Sequence, residues 1–316
     1  MFILFRRVCA TLALVVATAL SLAAQNSTST ARLELTHGKP FVNVMVNGKG
    51  PFRFVIDTGT GASAFVTAQL ADVLHLPVTG QVHLSDPSKQ GGQRVPLVQI
   101  QSLEVAGVVF TDISAVRHAL SAADGNCDGL LGFELFHNYL LTLDYPNRRM
   151  TLASGTLTPD GGQSVLPFRM PYGIPIIPLR IGSVEIEAQI DSGGTGLSLP
   201  EGLISRLKFD SSPEVFGSAQ SLSTRFELKA AKLAGDVQLG SYIFTRPFVE
   251  INAALPLANF GSSAMQDFAF TFDQREGLVR FEAPRQILHL AATHTPLQME
   301  RAPQYKPADI ALVPVG

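Results

Sequence analysis

The chain has little that could staple it, charge it or hold a metal. Only two of its 316 residues are cysteine, too few to brace a chain of this length. Charged residues make up 16%, and 24 Lys plus Arg against 26 Asp plus Glu leave a net charge of −2. No basic surplus is available to release counterions from a phosphate backbone, which counts against nucleic acid as a partner. The seven histidines (37, 75, 83, 118, 137, 289 and 294) show no zinc-type spacing, and no Gly-x-Ser-x-Gly elbow occurs. No metal and no cofactor are expected. Gly59-Thr60-Gly61-Ala62-Ser63-Ala64 imitates a dinucleotide fingerprint. However, no acidic residue closes a second strand at the required distance.

What is present is an apolar, turn-rich chain. Hydrophobic residues are 46%, and 27 Gly with 20 Pro favour many short strands over a helix bundle. The N-terminus has a charged start at Arg6-Arg7, an apolar run from Val8 to Leu22, then Ser21-Leu22-Ala23-Ala24. This is the anatomy of a signal peptide over residues 1–23, with cleavage after Ala23 favoured and after Ala24 as the alternative. The apolar run is short for a membrane span, which takes roughly 20 residues. The expectation is a secreted or periplasmic protein with no stable membrane insertion after cleavage. Its one remaining thiol would be Cys127, a small packing residue with no disulfide partner. The stretch from Ala24 to Arg32 offers no recognisable pro-segment.

Short apolar runs then alternate with turn signals. Phe41–Val46 ends at Asn47-Gly48 and is followed by Phe52–Ile56, a hairpin pattern. Thr67 to Leu76 has helical spacing with Thr67 as cap. Residues 133–140 suggest a second short helix, which would place His75 and His137 in helices. Leu97 to Phe110 reads as two strands broken at Ala106-Gly107, and Leu141–Asp144 as another.

After residues 154–163, which read as a linker, the pattern begins again. Asp191-Ser192-Gly193 repeats Asp57-Thr58-Gly59, and Gly182 repeats Gly48, both 134 positions later. Phe260-Gly261 repeats Leu131-Gly132, and Thr271-Phe272-Asp273 repeats Thr142-Leu143-Asp144, both 129 positions later. A period this long describes two similar lobes, here 31–153 and 164–285. Residues 286–316 carry no third copy and read as a loosely attached tail.

One aspartate opening a turn usually bonds only its own backbone. Two, each following a matched strand and each backed by a matched glycine, point elsewhere. If the lobes pack about a twofold axis, the two carboxylates meet. Like charges that close share a proton. One carboxyl then deprotonates a water while the other protonates a carbonyl oxygen.

Phe54-Val55-Ile56-Asp57-Thr58-Gly59-Thr60 resembles the active-site turn of pepsin-type and retroviral-type aspartic proteases. Asp128-Gly129-Leu130-Leu131-Gly132 resembles their second, backing signature, and Ala188–Gly193 with Asn259-Phe260-Gly261 resembles both again. The lobe size is similar to that of the bacterial secreted, retropepsin-like members, fused in one chain. The resemblance spans about residues 35 to 285. It implies an all-β, two-lobed pepsin-like/retropepsin-like fold with a few short helices, acting as a monomer that is an intramolecular pseudo-dimer on peptide or protein substrates. Asp57 and Asp191 would be the catalytic pair. Thr58 and Ser192 would lock the opposite turns, Gly59 and Gly193 would allow close approach, and Thr60 would donate to the outer oxygen of Asp57. Gly91 and Gly92 would form the tip of a substrate-covering flap.

The chain departs from that pattern in three places. Gly194 replaces a hydroxyl residue, so an outer hydrogen bond to Asp191 is expected to be missing and the shared proton to reside on Asp191. Asn259 replaces an apolar residue, and the flap segment lacks an aromatic. These departures support a second reading, a peptide-binding scaffold that keeps the fold with little or no turnover. A glycosidase built on the paired aspartates fits poorly, because its carboxylates do not usually sit on symmetric copies.

Overall fold

A computed structural model describes residues 28–85, 92–119, 127–220, 225–284, 287–288 and 313–314. The expected signal segment 1–23 and the proposed tip residue Gly91 lie outside the described residues. The structure has the all-β architecture anticipated from the turn-rich composition, with only short helices between strands. No described helix is long and apolar enough to cross a membrane.

Local chemistry explains where the strands begin and end. Lys39–Val46 turns through Asn47 and Gly48 into Lys49–Asp57, and both turn residues have positive φ, 50° and 71°. Asn-Gly tolerates that conformation at little steric cost. Thr67 caps helix Ala68–Val73, its hydroxyl oxygen accepting from the Leu70 amide at 3.1 Å. That helix is shorter than its periodicity suggests. Leu74 ends it and His75 turns left-handed at φ 53°, so His75 lies beyond the helix. The expected helix over 133–140 is a single 3-10 turn, Phe133–Phe136, with His137 at its cap. Phe133, Leu135 and Phe136 are all buried. Burial on more than one side gives no amphipathic stripe to propagate a helix.

The duplication is explicit in the sheets. In the N-terminal half the strand order is Lys39–Val46, Lys49–Asp57, Gly129–Gly132, Ala64–Val66, Val108–Arg117, Gly92–Val105, Val78–Ser85. In the C-terminal half it is Ile176–Ile181, Val184–Asp191, Ala258–Gly261, Leu197–Pro200, Phe248–Asn252, Arg225–Lys232, Glu214–Gln220. Strand senses agree as well. Each aspartate strand runs parallel to the glycine-ended strand beside it, Asp57 opposite Gly132 and Asp191 opposite Gly261.

A third sheet takes strands from both halves. Leu140–Asp144 pairs antiparallel with its own repeat, Ala269–Asp273. Thr142 faces Thr271 at the centre, their hydroxyls 2.9 Å apart. A segment paired antiparallel with its own copy places a pseudo-twofold axis through that central pair.

Beneath it the halves share one apolar core. Phe133 packs edge-on to Phe272 at 5.2 Å between centroids, and Phe270 to Phe281 at 5.2 Å. Burying each such ring stabilises the fold by about 1.5–3 kcal/mol. The connector 154–163 is an ordered turn at its far end. The Asp160 carboxylate accepts from the amides of Gly162, Gln163, Ser164 and Val165 and from the Ser164 hydroxyl. The Ser164 hydroxyl leads in pulling its pKa down to about 2. In the tail, Ile287–Leu288 extends the C-terminal sheet beside Tyr242–Phe244, and Val313–Pro314 pairs with Val78–Ser85.

Candidate active site

Asp57 and Asp191 end equivalent strands and are nearly sealed from solvent, 2% and 1% exposed. Four hydrogen bonds tie their turns together in twofold-related pairs. The Thr58 amide donates to Ser192 Oγ and the Ser192 amide to Thr58 Oγ1, each at 3.0 Å. The Thr58 hydroxyl donates to the Ile190 carbonyl at 2.8 Å, and the Ser192 hydroxyl to the Ile56 carbonyl at 2.7 Å. Gly59 and Gly193 face the opposite carboxyl groups. A Cβ at Gly59 would sit 2.5 Å from Asp191 Cγ, and one at Gly193 2.4 Å from Asp57 Cγ. The two turns thus bring each carboxyl up against the backbone of the opposite turn, where the charge of Asp191 acts on Asp57.

The glycine-ended strands hold the turns from behind. A Cβ at Gly132 would collide with the Ala62 carbonyl oxygen at 1.8 Å, and one at Gly261 with the Gly196 carbonyl at 2.6 Å. The amide of Phe133 donates to Thr60 O and that of Ser262 to Gly194 O. Asp128 ties the first pair of strands together, its Oδ2 accepting from the Arg53 amide at 2.8 Å.

The outer oxygens correct the sequence-based expectation. The Thr60 hydroxyl donates to Asp57 Oδ2 at 2.9 Å. On the other side the bond expected to be missing is present, and Asn259 supplies it, its Nδ2 donating to Asp191 Oδ2 at 2.8 Å. A Cβ on Gly194 would lie 2.4 Å from that nitrogen. The absent side chain at 194 and the polar one at 259 are therefore one substitution in space, the amide filling the room that glycine leaves.

The count of donors to the two carboxyls also runs against the expectation. Asp191 Oδ1 accepts from the amides of Gly193 and Gly194, at 2.9 and 2.8 Å, besides the Asn259 bond at Oδ2. Asp57 accepts from Gly59 N at 2.8 Å and from Thr60. Burial first, then the charge of Asp191, pushes the Asp57 carboxyl well above the usual range, against the pull of Thr60. Asp57 is thus disposed to hold a proton, while Asp191 accepts three hydrogen bonds to its two.

Other predicted residues fall as follows. Gly92 does not lie at a loop tip. It begins strand Gly92–Val105 and pairs with Ser85, and residues 86–91 between the two strands are outside the described residues. Leu84 and Val95 of this hairpin pack with Val55 and Leu130. Val55 shares its strand face with Asp57, two positions on, so the hairpin base covers the aspartate-bearing face. Cys127 is half-buried beside that cluster, its thiol donating to Gly129 O at 2.8 Å. Sequence reasoning missed Tyr145. Its buried phenol is pushed well up by burial, then by the charges of Asp191 and Asp57, and its hydroxyl donates to Met265 Sδ at 3.7 Å. It stays neutral within electrostatic reach of both carboxyls, and the only sequence sign of it is its place directly after Thr142-Leu143-Asp144, the segment repeated as Thr271-Phe272-Asp273.

Residues 42–135 match the family model described as aspartyl protease. That stretch holds Asp57, its Thr-Gly turn and the Asp128–Gly132 backing strand. No curated protein matches the chain.

Proposed function

We propose that the chain is an aspartic endopeptidase that hydrolyses peptide bonds in the cleft between its two halves. The observation that carries the reading is the meeting of Asp57 and Asp191 in cross-locked, symmetric turns. A water bound between the carboxyls loses a proton to Asp191 and attacks the scissile carbonyl carbon. Asp57 donates the shared proton to the carbonyl oxygen, giving a gem-diol. Collapse of the diol breaks the C–N bond as Asp191 passes its proton to the departing amine and Asp57 takes one back from a diol hydroxyl. Hairpin Val78–Ser85/Gly92–Val105 is the element proposed to close over the substrate. The N-terminal segment, with its signal-peptide anatomy, supports export.

The scaffold reading rested on the departures at Gly194 and Asn259 and on the flap segment without an aromatic. The amide donor at Asp191 Oδ2 counts against the first two. Incubating the protein with a mixed peptide library at several pH values tests the proposal directly, with endoproteolytic fragments as the expected result. A chelator is expected to leave the rate unchanged, and a strong loss would indicate a metal-dependent reaction instead.

The pH–rate profile reports the pair as a unit. Its acid limb follows the first ionisation, which places the charge on Asp191. Asn259→Leu removes a donor to that charge and is expected to move the acid limb to higher pH. A hydrogen bond to a charged group is worth about 1.5–3 kcal/mol, which corresponds to a shift on the order of one pH unit. Thr60→Ala removes a donor that favours ionised Asp57 and is expected to move the alkaline limb upward. If Thr60→Ala moves the acid limb and Asn259→Leu does not, the proton assignment is reversed.

A further inference from the structure

The two halves differ sharply at one set of equivalent, buried positions. In the N-terminal half Val55, Phe65, Val116 and Leu130 pack together as part of a small apolar cluster. The strand registers match them to the C-terminal half. Val55 pairs with Leu130 as Gln189 pairs with Asn259. Phe65 pairs with Leu130 and with Val116, as Ser198 pairs with Asn259 and with Glu250. Gln189, Ser198, Glu250 and Asn259 are 9%, 6%, 8% and 7% exposed, as buried as the apolar residues they replace.

These four side chains share the face that carries the aspartate. Gln189 lies two residues before Asp191, and side chains two apart on a strand share a face. Asn259 touches Asp191 directly, and residues opposite one another on paired strands project to the same side.

The group is rich in acceptors and short of donors. Asn259 commits its amide nitrogen to Asp191, and its buried Oδ1 has no hydrogen-bond partner among the described residues. The only hydrogen bond to the Glu250 carboxyl among the described residues comes from Ser198 Oγ to Oε2, at 3.2 Å. Glu250 Oε1 lies 3.2 Å from where a Cβ on the half-exposed Gly196 would stand. The corresponding residue of the other half is Ala62, which packs on the apolar cluster. Glycine therefore lets the carboxyl come up against the partly exposed turn that follows Asp191. Buried polar groups left without partners are costly, and a ligand that brings donors removes that cost.

We propose that Gln189, Ser198, Glu250 and Asn259 form a polar subsite on the C-terminal side of the cleft, which takes the cationic side chain of a lysine or arginine flanking the scissile bond. The N-terminal half offers the other flanking residue an apolar counterpart. Burial pushes the Glu250 carboxyl upward, and a bound ammonium or guanidinium would return it to the charged form. A site built around unsatisfied acceptors discriminates against side chains that cannot donate. The inference rests on the cleft being a peptide-binding site, and its test reads binding as well as cleavage.

The probes are hexapeptides bearing lysine, glutamine or norleucine at one flanking position or the other, each made with an ordinary central peptide bond to read cleavage and with a hydroxyethylene unit in its place to read binding. Calorimetric titration of the full chain is expected to show lysine binding about tenfold or more tighter than norleucine or glutamine at one flank only. Glu250→Val, which copies Val116 of the other half, is expected to abolish or invert that preference. Glu250→Gln preserves the shape and is expected to level lysine with glutamine. Equal binding of all three peptides to the unmodified protein, or a lysine preference retained in Glu250→Gln, overturns the subsite. Lysine-selective binding without any hydrolysis would sink the endopeptidase reading and leave the subsite standing. Hydrolysis without selectivity would do the reverse.

Discussion

Asp57→Asn and Asp191→Asn are each expected to lower peptide hydrolysis by at least about 10³-fold, within the range that general acid–base groups contribute. Asparagine nearly matches the volume of aspartate, so the cross-locked turns of Thr58 and Ser192 stay in place. What is lost is the shared proton. An amide at 57 cannot donate it as an acid, and an amide at 191 cannot accept a proton from water. With the carboxyls acting as one unit, as proposed, the double variant is expected to be hardly worse than either single one. Initial rates on a cleaved peptide, with thermal unfolding as the control for folding, measure this. Near-normal turnover in either single variant would remove the pair from the mechanism.

The second large effect is steric. Gly59→Ala and Gly193→Ala put a methyl group about 2.5 Å from the opposite aspartate carboxyl, so the two carboxyls must part. Misplacing reacting groups by about 1 Å costs on the order of 100-fold in rate, and each variant is expected to lose about that much. Gly202→Ala is the matched control, since nothing lies within 4 Å of its added Cβ. Rates of the three variants, compared at equal folded fraction, test the close approach separately from the chemistry. Full activity in Gly193→Ala would mean that the turns are more widely spaced than the structure has them.

Hydrophobic alternation, Asn-Gly and Ala-Gly turns and a repeated Asp-[Thr/Ser]-Gly are short-range signals, and they survive without coordinates. From them follow the duplicated strands, the hairpins at 47–48 and 106–107, and the Thr67 helix cap. The constant offsets also pair Thr142 with Thr271 before any sheet is seen, and the antiparallel ladder through those two residues realises that symmetry. Other features depend on packing between distant segments. Residues 133–136 make a single turn because burial on several sides overrides a periodic pattern, and helix 68–73 stops where His75 turns left-handed.

Reading each position against its sequence neighbours makes Gly194 and Asn259 look like two separate losses. They lie far apart in the chain, and only the parallel pairing of Val184–Asp191 with Ala258–Gly261 brings the amide into the space the glycine vacates. Asp191 owes one of its three donors to that contact. The polar group at Gln189, Ser198, Glu250 and Asn259 depends on the same kind of contact. The sequence by itself determined that the chain is duplicated and that each half presents one aspartate. The tertiary structure alone decided what surrounds each aspartate, because hydrogen bonding and burial are set by strand register across the sheet, and register joins residues whose separation along the chain carries no local signal.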